Sequence, residues 1–146
     1  MTNTTASSAP TSFGLLVLRV VVGIVFIAHG SQKIFEYTLP GTIGSFAGMG
    51  VPLPEIAGPL VAFVELLGGI LLLLGLLTRP VGILLAIDML VALVLVHLSA
   101  GIWVADGGWE FVAVLGAAAL AVAFTGAGRF SLDRAVLRGR APAWLG

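Results

Sequence analysis

The amino-acid sequence predicts an all-α protein that crosses a membrane as a bundle of four helices. Hydrophobic residues make up 59% of its 146 residues and charged residues only 10%, and the mean hydropathy is +1.15. Soluble globular domains carry far more charge. A helix needs about 20 mainly apolar residues to cross a hydrocarbon core roughly 30 Å thick. Four such runs account for most of the chain, so we expect no separate soluble domain.

The first two predicted spans cover residues 13–30 and 56–77. Residues 1–12 precede them and are rich in Ser, Thr and Pro, which predicts a disordered tail. This leader lacks the basic residues of a signal peptide, so we expect the first span to be retained. Residues 34–55 are too broken by glycine and proline to span, although "GTIGSFAGMG" is compatible with a short helix lying on the membrane surface.

The third and fourth predicted spans cover residues 81–98 and 110–127. The third follows Pro80, which suits the first turn of a helix. The fourth is built largely from alanine and glycine, small residues that allow helices in a membrane to approach closely. Trp103 and Trp109 lie in the loop between them, where interfacial aromatic residues are expected.

The distribution of basic residues predicts the orientation of the bundle. Arg79 lies between the second and third spans, and the basic tail, residues 129–146, carries the other arginines of that side. Lys33 lies on the opposite side. Because short cytoplasmic loops carry the excess of Lys and Arg, we expect both termini to be cytoplasmic.

Composition also excludes several classes of function. The formal net charge is zero and no basic stripe is present, which argues against a nucleic-acid binder. The chain has no cysteine and therefore no dithiol exchange or thiolate-bound iron–sulfur cluster of its own. The two histidines lack the spacing of a metal motif, so no metal site is predicted.

Three charged residues interrupt the predicted spans: Arg19, Glu65 and Asp88. A charge near the bilayer centre costs roughly 2.5 to 3.5 kcal/mol on insertion scales, so such groups are normally paired. We therefore predict an intramembrane charge cluster in which Arg19 bridges the two acids. Two interpretations stay open: a structural cluster that fixes helix register, or a site for proton handling or ligand binding.

A second polar group is predicted at the outer boundary, where His29, Lys33 and His97 end the first and third spans. A quinone site needs an apolar slot and one or two donors to the carbonyl oxygens, and these side chains could supply the donors. The aromatic residues nearby are Phe26, Phe35 and Trp103. In the competing interpretation, each histidine only donates to a nearby carbonyl oxygen.

Three stretches carry a resemblance to a known family: "LRVVVGIVFIAHGSQKIF", "FAGMGVPLPEIAG" and "FVELLGGILLLLGLLTRP". With these motifs the sequence resembles the DoxX family of small four-helix bacterial membrane proteins, from Leu15 to Arg134. The family motif positions map onto Arg19, His29, Gly30, Lys33, Glu65, Gly68 and Gly69. The resemblance implies a multi-pass protein of the bacterial cytoplasmic membrane.

For function, the resemblance implies a membrane subunit of a sulfur- or quinone-linked oxidoreductase complex. Such a subunit would anchor redox partner proteins to the lipid bilayer, would not be catalytic alone, and could bind a quinone. Two alternatives stay open: a non-catalytic assembly or scaffold protein, and a small proton-coupled transporter that uses Glu65 and Asp88. A homo-oligomer also stays open.

Overall fold

The computed structural model describes residues 9–137, and within this range every regular element is helical. Four helices form the bundle, and two shorter helices flank it. The bundle helices are α1 (Ala9–Ser31), α3 (Pro54–Leu74), α4 (Thr78–Ala92) and α5 (Glu110–Thr125); the flanking helices are α2 (Thr38–Gly48) and α6 (Leu132–Leu137). The predicted all-α bundle is confirmed.

Two of the bundle helices widen at the same end of the molecule. α1 continues as a π-helical segment at Gln32–Glu36, and α4 continues as a π-helical segment at Leu93–His97. With these extensions, α1, α3 and α4 are long and apolar enough to cross a membrane, whereas α5 is a shorter apolar helix of 16 residues. π-helical turns inside α-helices often occur at functional sites. This end of the bundle is therefore a candidate location for the functional site.

The boundaries differ from the predicted ones at both ends of the chain. α1 begins at Ala9, so the last residues assigned to the tail 1–12 are helical. The segment assigned to the basic tail contains α6, which returns to the bundle through a bond from the Asp133 amide to the Gly75 carbonyl, 2.9 Å long. The rest of both predicted tails lies outside the described residues.

Helices α1 and α3 pack through glycines of the motif. A Cβ atom added to Gly30 would lie 2.4 Å from the Leu66 amide nitrogen, and one added to Gly69 would lie 2.7 Å from that of Ile27. Both distances are too short for any side chain, so these positions bring the two backbones into direct contact. This close crossing fixes the relative depth of α1 and α3, and with it the polar groups that they carry.

The buried core lies between the four bundle helices, and the outward faces of these helices form the apolar outer surface. Phe26, Leu72 and Leu85 are fully buried in the core. On the outward faces, apolar side chains are widely exposed, such as Val114 and Phe124 at 70% and 72%. A soluble protein would not expose such a surface. These faces are suited to contact with the lipid bilayer.

Candidate functional site

A cavity of about 400 Å³ lies at the end of the bundle where the π-helical segments occur. Residues from α1, α2, α3, α4 and α5 line it, and most are apolar. The larger apolar side chains of the wall are Phe26, Phe46, Met49, Phe111 and Leu115. Its volume falls in the range of small-molecule sites, which are mostly apolar with a few polar groups.

An ion pair between Lys33 and Glu65 forms part of the cavity wall. The Lys33 Nζ atom lies 2.5 Å from the Glu65 Oε2 atom, and the two side chains are 18% and 5% exposed. Lys33 lies in the π-helical extension of α1, and its carbonyl accepts a bond of 2.8 Å from the Thr42 hydroxyl of α2. The short helix α2 therefore holds the segment that presents Lys33 to Glu65.

Asp88 is the second carboxylate of the wall, and one of its oxygens has no partner. Its Oδ2 atom is buried and accepts no hydrogen bond from any of the described residues. Asp88 interacts electrostatically with both Glu65 and Lys33, yet the short contact of Lys33 is with Glu65. A buried acceptor without a donor is costly, and such groups are rare in folded proteins.

His29 lies in the part of the wall that separates the cavity from the exterior of the bundle. It lines the cavity and also an open depression formed with Gln32, Phe35 and Glu36. Its ring packs against Phe111 with the ring centroids 5.8 Å apart and the planes tilted by 44°. A histidine in this position touches both compartments, which suits a group that exchanges protons between them.

His97 lines the cavity from α4 and holds the following loop. Its Nδ1 atom lies 2.7 Å from the Gly107 carbonyl oxygen. Because a carbonyl can only accept, Nδ1 carries the proton, and in the neutral ring Nε2 is left as an acceptor. The predicted donation from a histidine to a nearby carbonyl is therefore found at the Nδ1 atom of His97. The Nε2 atom remains available to a ligand.

The structure brings together residues that the sequence assigned to two clusters. His29, Lys33 and His97 of the outer group line the same cavity as Glu65 and Asp88 of the intramembrane group. Two aromatic candidates lie elsewhere. Trp103 is 66% exposed in the loop before α5, and Phe35 is 75% exposed in the open depression, so neither forms part of the cavity wall.

Arg19 is not where we predicted it, and the predicted bridge to Glu65 and Asp88 is corrected. Its guanidinium donates to the Leu73 carbonyl at 2.5 Å, to the Leu72 carbonyl at 3.4 Å and to the carbonyl of Phe130. The last carbonyls of a helix have no partner inside it, and a cation at that end is favourable. Arg19 thus closes the end of α3, about two helical turns from Glu65.

Sequence reasoning missed a buried acid at this same end. Asp133 of α6 accepts bonds from the Leu77 amide at 2.8 Å and from the Thr78 amide and hydroxyl at 3.1 and 3.0 Å. It supplies the cap for the start of α4, where no local side chain does so. The cap comes from a residue more than 50 positions away in sequence, and no local pattern predicts such a contact.

Fold and site define a class: a small helical membrane protein with an apolar, ligand-sized cavity whose polar groups come from three helices. The family model described as DoxX matches residues 14–98. The match includes every titratable residue of the cavity wall: His29, Lys33, Glu65, Asp88 and His97. The chain belongs to the DoxX family.

Relatives from several bacteria resemble the chain over most of its length. The Bacillus subtilis protein named "Putative oxidoreductase CatD" is 38% identical over 87% of this chain and 90% of its own. The inner membrane protein YphA of Escherichia coli is 33% identical over 82% and 88%, respectively. A Mycobacterium tuberculosis membrane protein is 36% identical over 82% and 79%. No solved structure matches the chain significantly.

These names and the exposed apolar helices place the chain in the bacterial cytoplasmic membrane as a multi-pass protein in contact with lipid. Its orientation across that membrane stays a prediction. The start of α1 and the segment that leads into α6 do lie at the same end of the bundle, since a Cβ atom added to Gly128 would lie 3.5 Å from the Ser12 carbonyl oxygen.

Proposed function

We propose that this protein is the membrane subunit of an oxidoreductase complex and that its cavity binds a quinone. The observation that carries the proposal is the cavity itself. It combines an apolar wall of ligand size with an ion pair, two histidines and a further carboxylate at one end of a membrane bundle. The name of the Bacillus subtilis relative, "Putative oxidoreductase CatD", supports the redox part of the proposal.

The chemistry of the wall fits a ring that carries oxygen atoms at opposite positions. Such oxygens accept hydrogen bonds, and both the Lys33 ammonium and an N–H of the His29 ring can donate them. Lys33 has three donor hydrogens and Glu65 uses one in the short ion pair. The aromatic and aliphatic wall residues, including Phe26 and Phe111, suit the apolar ring face and its tail.

In this proposal the electrons come from a partner protein that docks on the membrane subunit. The chain has no cysteine with which to carry out dithiol chemistry of its own. The membrane subunit would then supply the anchor, the quinone pocket and the path for protons, with His29 between the cavity and the exterior. Co-purification from native membranes in mild detergent should recover a soluble redox protein in stoichiometric amount.

The direct test is quinone binding to the purified protein and to His29→Ala. We expect titration with decylubiquinone, a short-chain quinone probe, to quench tryptophan fluorescence saturably. His29→Ala should weaken binding at least tenfold, because it removes a donor and the ring packed on Phe111. Phe35→Ala is the matched control, since Phe35 lies in the open depression outside the cavity. Equal affinity of His29→Ala and the wild type would contradict the assignment.

A proton-coupled carrier is the second candidate, favoured by one observation. Glu65 and Asp88 are carboxylates within the membrane bundle that face a shared cavity. Intramembrane acids of this kind often handle protons. Proteoliposomes with an internal pH indicator distinguish the candidates, because a carrier moves protons when its substrate is added and an anchoring subunit does not.

A further inference from the structure

The cavity wall contains an acceptor for which the protein supplies no donor within the described residues. This atom is the buried Oδ2 of Asp88. We propose that Asp88 makes the cavity selective for the reduced, hydroxyl-bearing form of its ligand, by accepting a hydrogen bond from a ring hydroxyl. The inference rests on the proposed quinone function and adds the redox form that the site prefers.

The first step of the argument concerns the available cation. Among residues 9–137, Lys33 is the only Lys or Arg side chain in the cavity wall, and its ammonium lies 2.5 Å from Glu65. Asp88 interacts electrostatically with Lys33, but the hydrogen bond of Lys33 is made to Glu65. No described residue donates to Oδ2, which is unfavourable for a buried oxygen, and the cavity that Asp88 lines is where a ligand could bring a donor close to it.

The second step concerns the two redox forms of a quinone. The oxidised ring presents carbonyl oxygens, which are acceptors only, so a carbonyl next to the ionised carboxylate form of Asp88 would place two acceptors against each other. The reduced ring presents hydroxyl groups, each of which is both a donor and an acceptor. Sites that hydrogen-bond a substrate O–H reject analogues that lack it, because the buried polar group is then left unpaired.

The third step is that the other polar groups do not cancel this preference. The donors of Lys33 and His29 can bind a hydroxyl oxygen as well as a carbonyl oxygen. The Nδ1 atom of His97 is occupied by its bond to the Gly107 carbonyl. The acceptor of Asp88 thus favours the reduced form, and the donors tolerate both forms.

The experiment compares the affinities for decylubiquinol and decylubiquinone under anaerobic conditions, using the full chain in lipid nanodiscs. We expect the wild type to bind the quinol at least tenfold more tightly than the quinone. Asp88→Asn should bring the ratio to about one or below, because an amide can also donate to a carbonyl oxygen. Glu55→Gln is the control for loss of one acid, since Glu55 is exposed and outside the cavity wall, and it should leave the ratio unchanged.

The outcomes separate this inference from the proposed function. Saturable binding of both forms with equal affinity in the wild type would overturn the selectivity and leave the quinone site intact. A quinol preference that persists in Asp88→Asn would also overturn the role of Asp88. Absence of binding of either form would overturn both proposals. The wild-type ratio needs no variant, so poor folding of Asp88→Asn would not remove the test.

Discussion

The two ends of the bundle use buried polar groups in opposite ways. At one end, which we call the clamp end, Arg19 and Asp133 join α1, α3, α4 and α6 through hydrogen bonds to backbone groups. At the other end, the cavity end, polar side chains face a shared space. At the clamp end the Arg19 Nε atom has no partner in the described range, but the Arg19 and Asp133 side chains together make six hydrogen bonds.

At the cavity end the bonding capacity of the side chains is only partly used. Asp88 has a buried oxygen with no partner, and His97 uses one of its two ring nitrogens. Among the described side chains of the cavity wall, only Lys33 and Glu65 bind each other directly. We propose that the clamp end stabilises the fold, whereas the groups of the cavity end are kept for a ligand. Substitutions at the two ends should therefore separate stability from binding.

The largest expected loss of stability follows from Arg19→Ala. The change removes the donors to three backbone carbonyls and leaves the end of α3 unsatisfied. Hydrogen bonds to charged groups contribute about 1.5 to 3 kcal/mol each, although interhelical bonds in membranes average less, so we expect a loss of about 3 kcal/mol in the free energy of unfolding.

Thermal unfolding in detergent, followed by circular dichroism, measures this loss. Leu18→Ala is the control, because the neighbouring Leu18 is a partly buried apolar residue of the same helix turn. A loss in Arg19→Ala equal to or smaller than that in Leu18→Ala would contradict the stabilising role of the clamp end. Quinone affinity of the folded fraction should stay unchanged in both variants.

The error in the predicted charge cluster has a physical cause. Residue counting from one end of a span gives depth along the membrane, and by depth alone Arg19, Glu65 and Asp88 could meet. It does not reveal that α1 continues past residue 30 as a π-helical segment, which keeps Lys33 helical and changes the direction it faces. Lys33 therefore reaches Glu65, and Arg19 satisfies the carbonyls at the end of α3 instead.

Other features could be predicted because they depend on composition along the chain. The four bundle helices follow from four apolar runs, and α2 follows from the segment "GTIGSFAGMG". The close packing at Gly30 and Gly69 agrees with their place in the family motif. The cap of α4 by Asp133 depends on the tertiary path of the chain, and only the structure reveals it.

A smaller effect is expected when the ion pair of the cavity end is broken. Lys33→Met leaves Glu65 buried without its cation and should lower the free energy of unfolding by about 1 kcal/mol. This is below the cost for a fully enclosed pair, because Lys33 borders a cavity and Glu65 can take up a proton. The same thermal unfolding experiment measures the change.

The double variant Lys33→Met/Glu65→Leu sharpens this result. Replacing both members of a buried ion pair by apolar residues is often neutral or stabilising. We expect the double variant to recover most of the stability lost in Lys33→Met while binding no quinone. If the double variant is less stable than the single one, the pair stabilises the fold as the clamp end does, and the contrast between the two ends fails.

The smallest effect on stability is expected at His97. Its Nδ1 atom binds a backbone carbonyl, and its Nε2 atom is left for the proposed ligand. Asparagine places an amide N–H close to the position of Nδ1, so His97→Asn should keep the bond to the Gly107 carbonyl and lose the group at Nε2. Glutamine reaches the position of Nε2 and loses the bond to Gly107. Because His97→Asn keeps this bond, we expect it to change the free energy of unfolding by about 0.5 kcal/mol or less.

The two His97 variants should therefore diverge in binding and in loop anchoring. His97→Asn should unfold at the wild-type temperature and bind decylubiquinol several-fold more weakly. His97→Gln should retain most of the affinity and show faster amide hydrogen exchange at Gly107 and Gly108, because the loop has lost its anchor. If both variants lose affinity and loop protection together, the two ring nitrogens act as one structural unit. Such a result would move His97 from the ligand-binding groups of the cavity end to the groups that hold the fold.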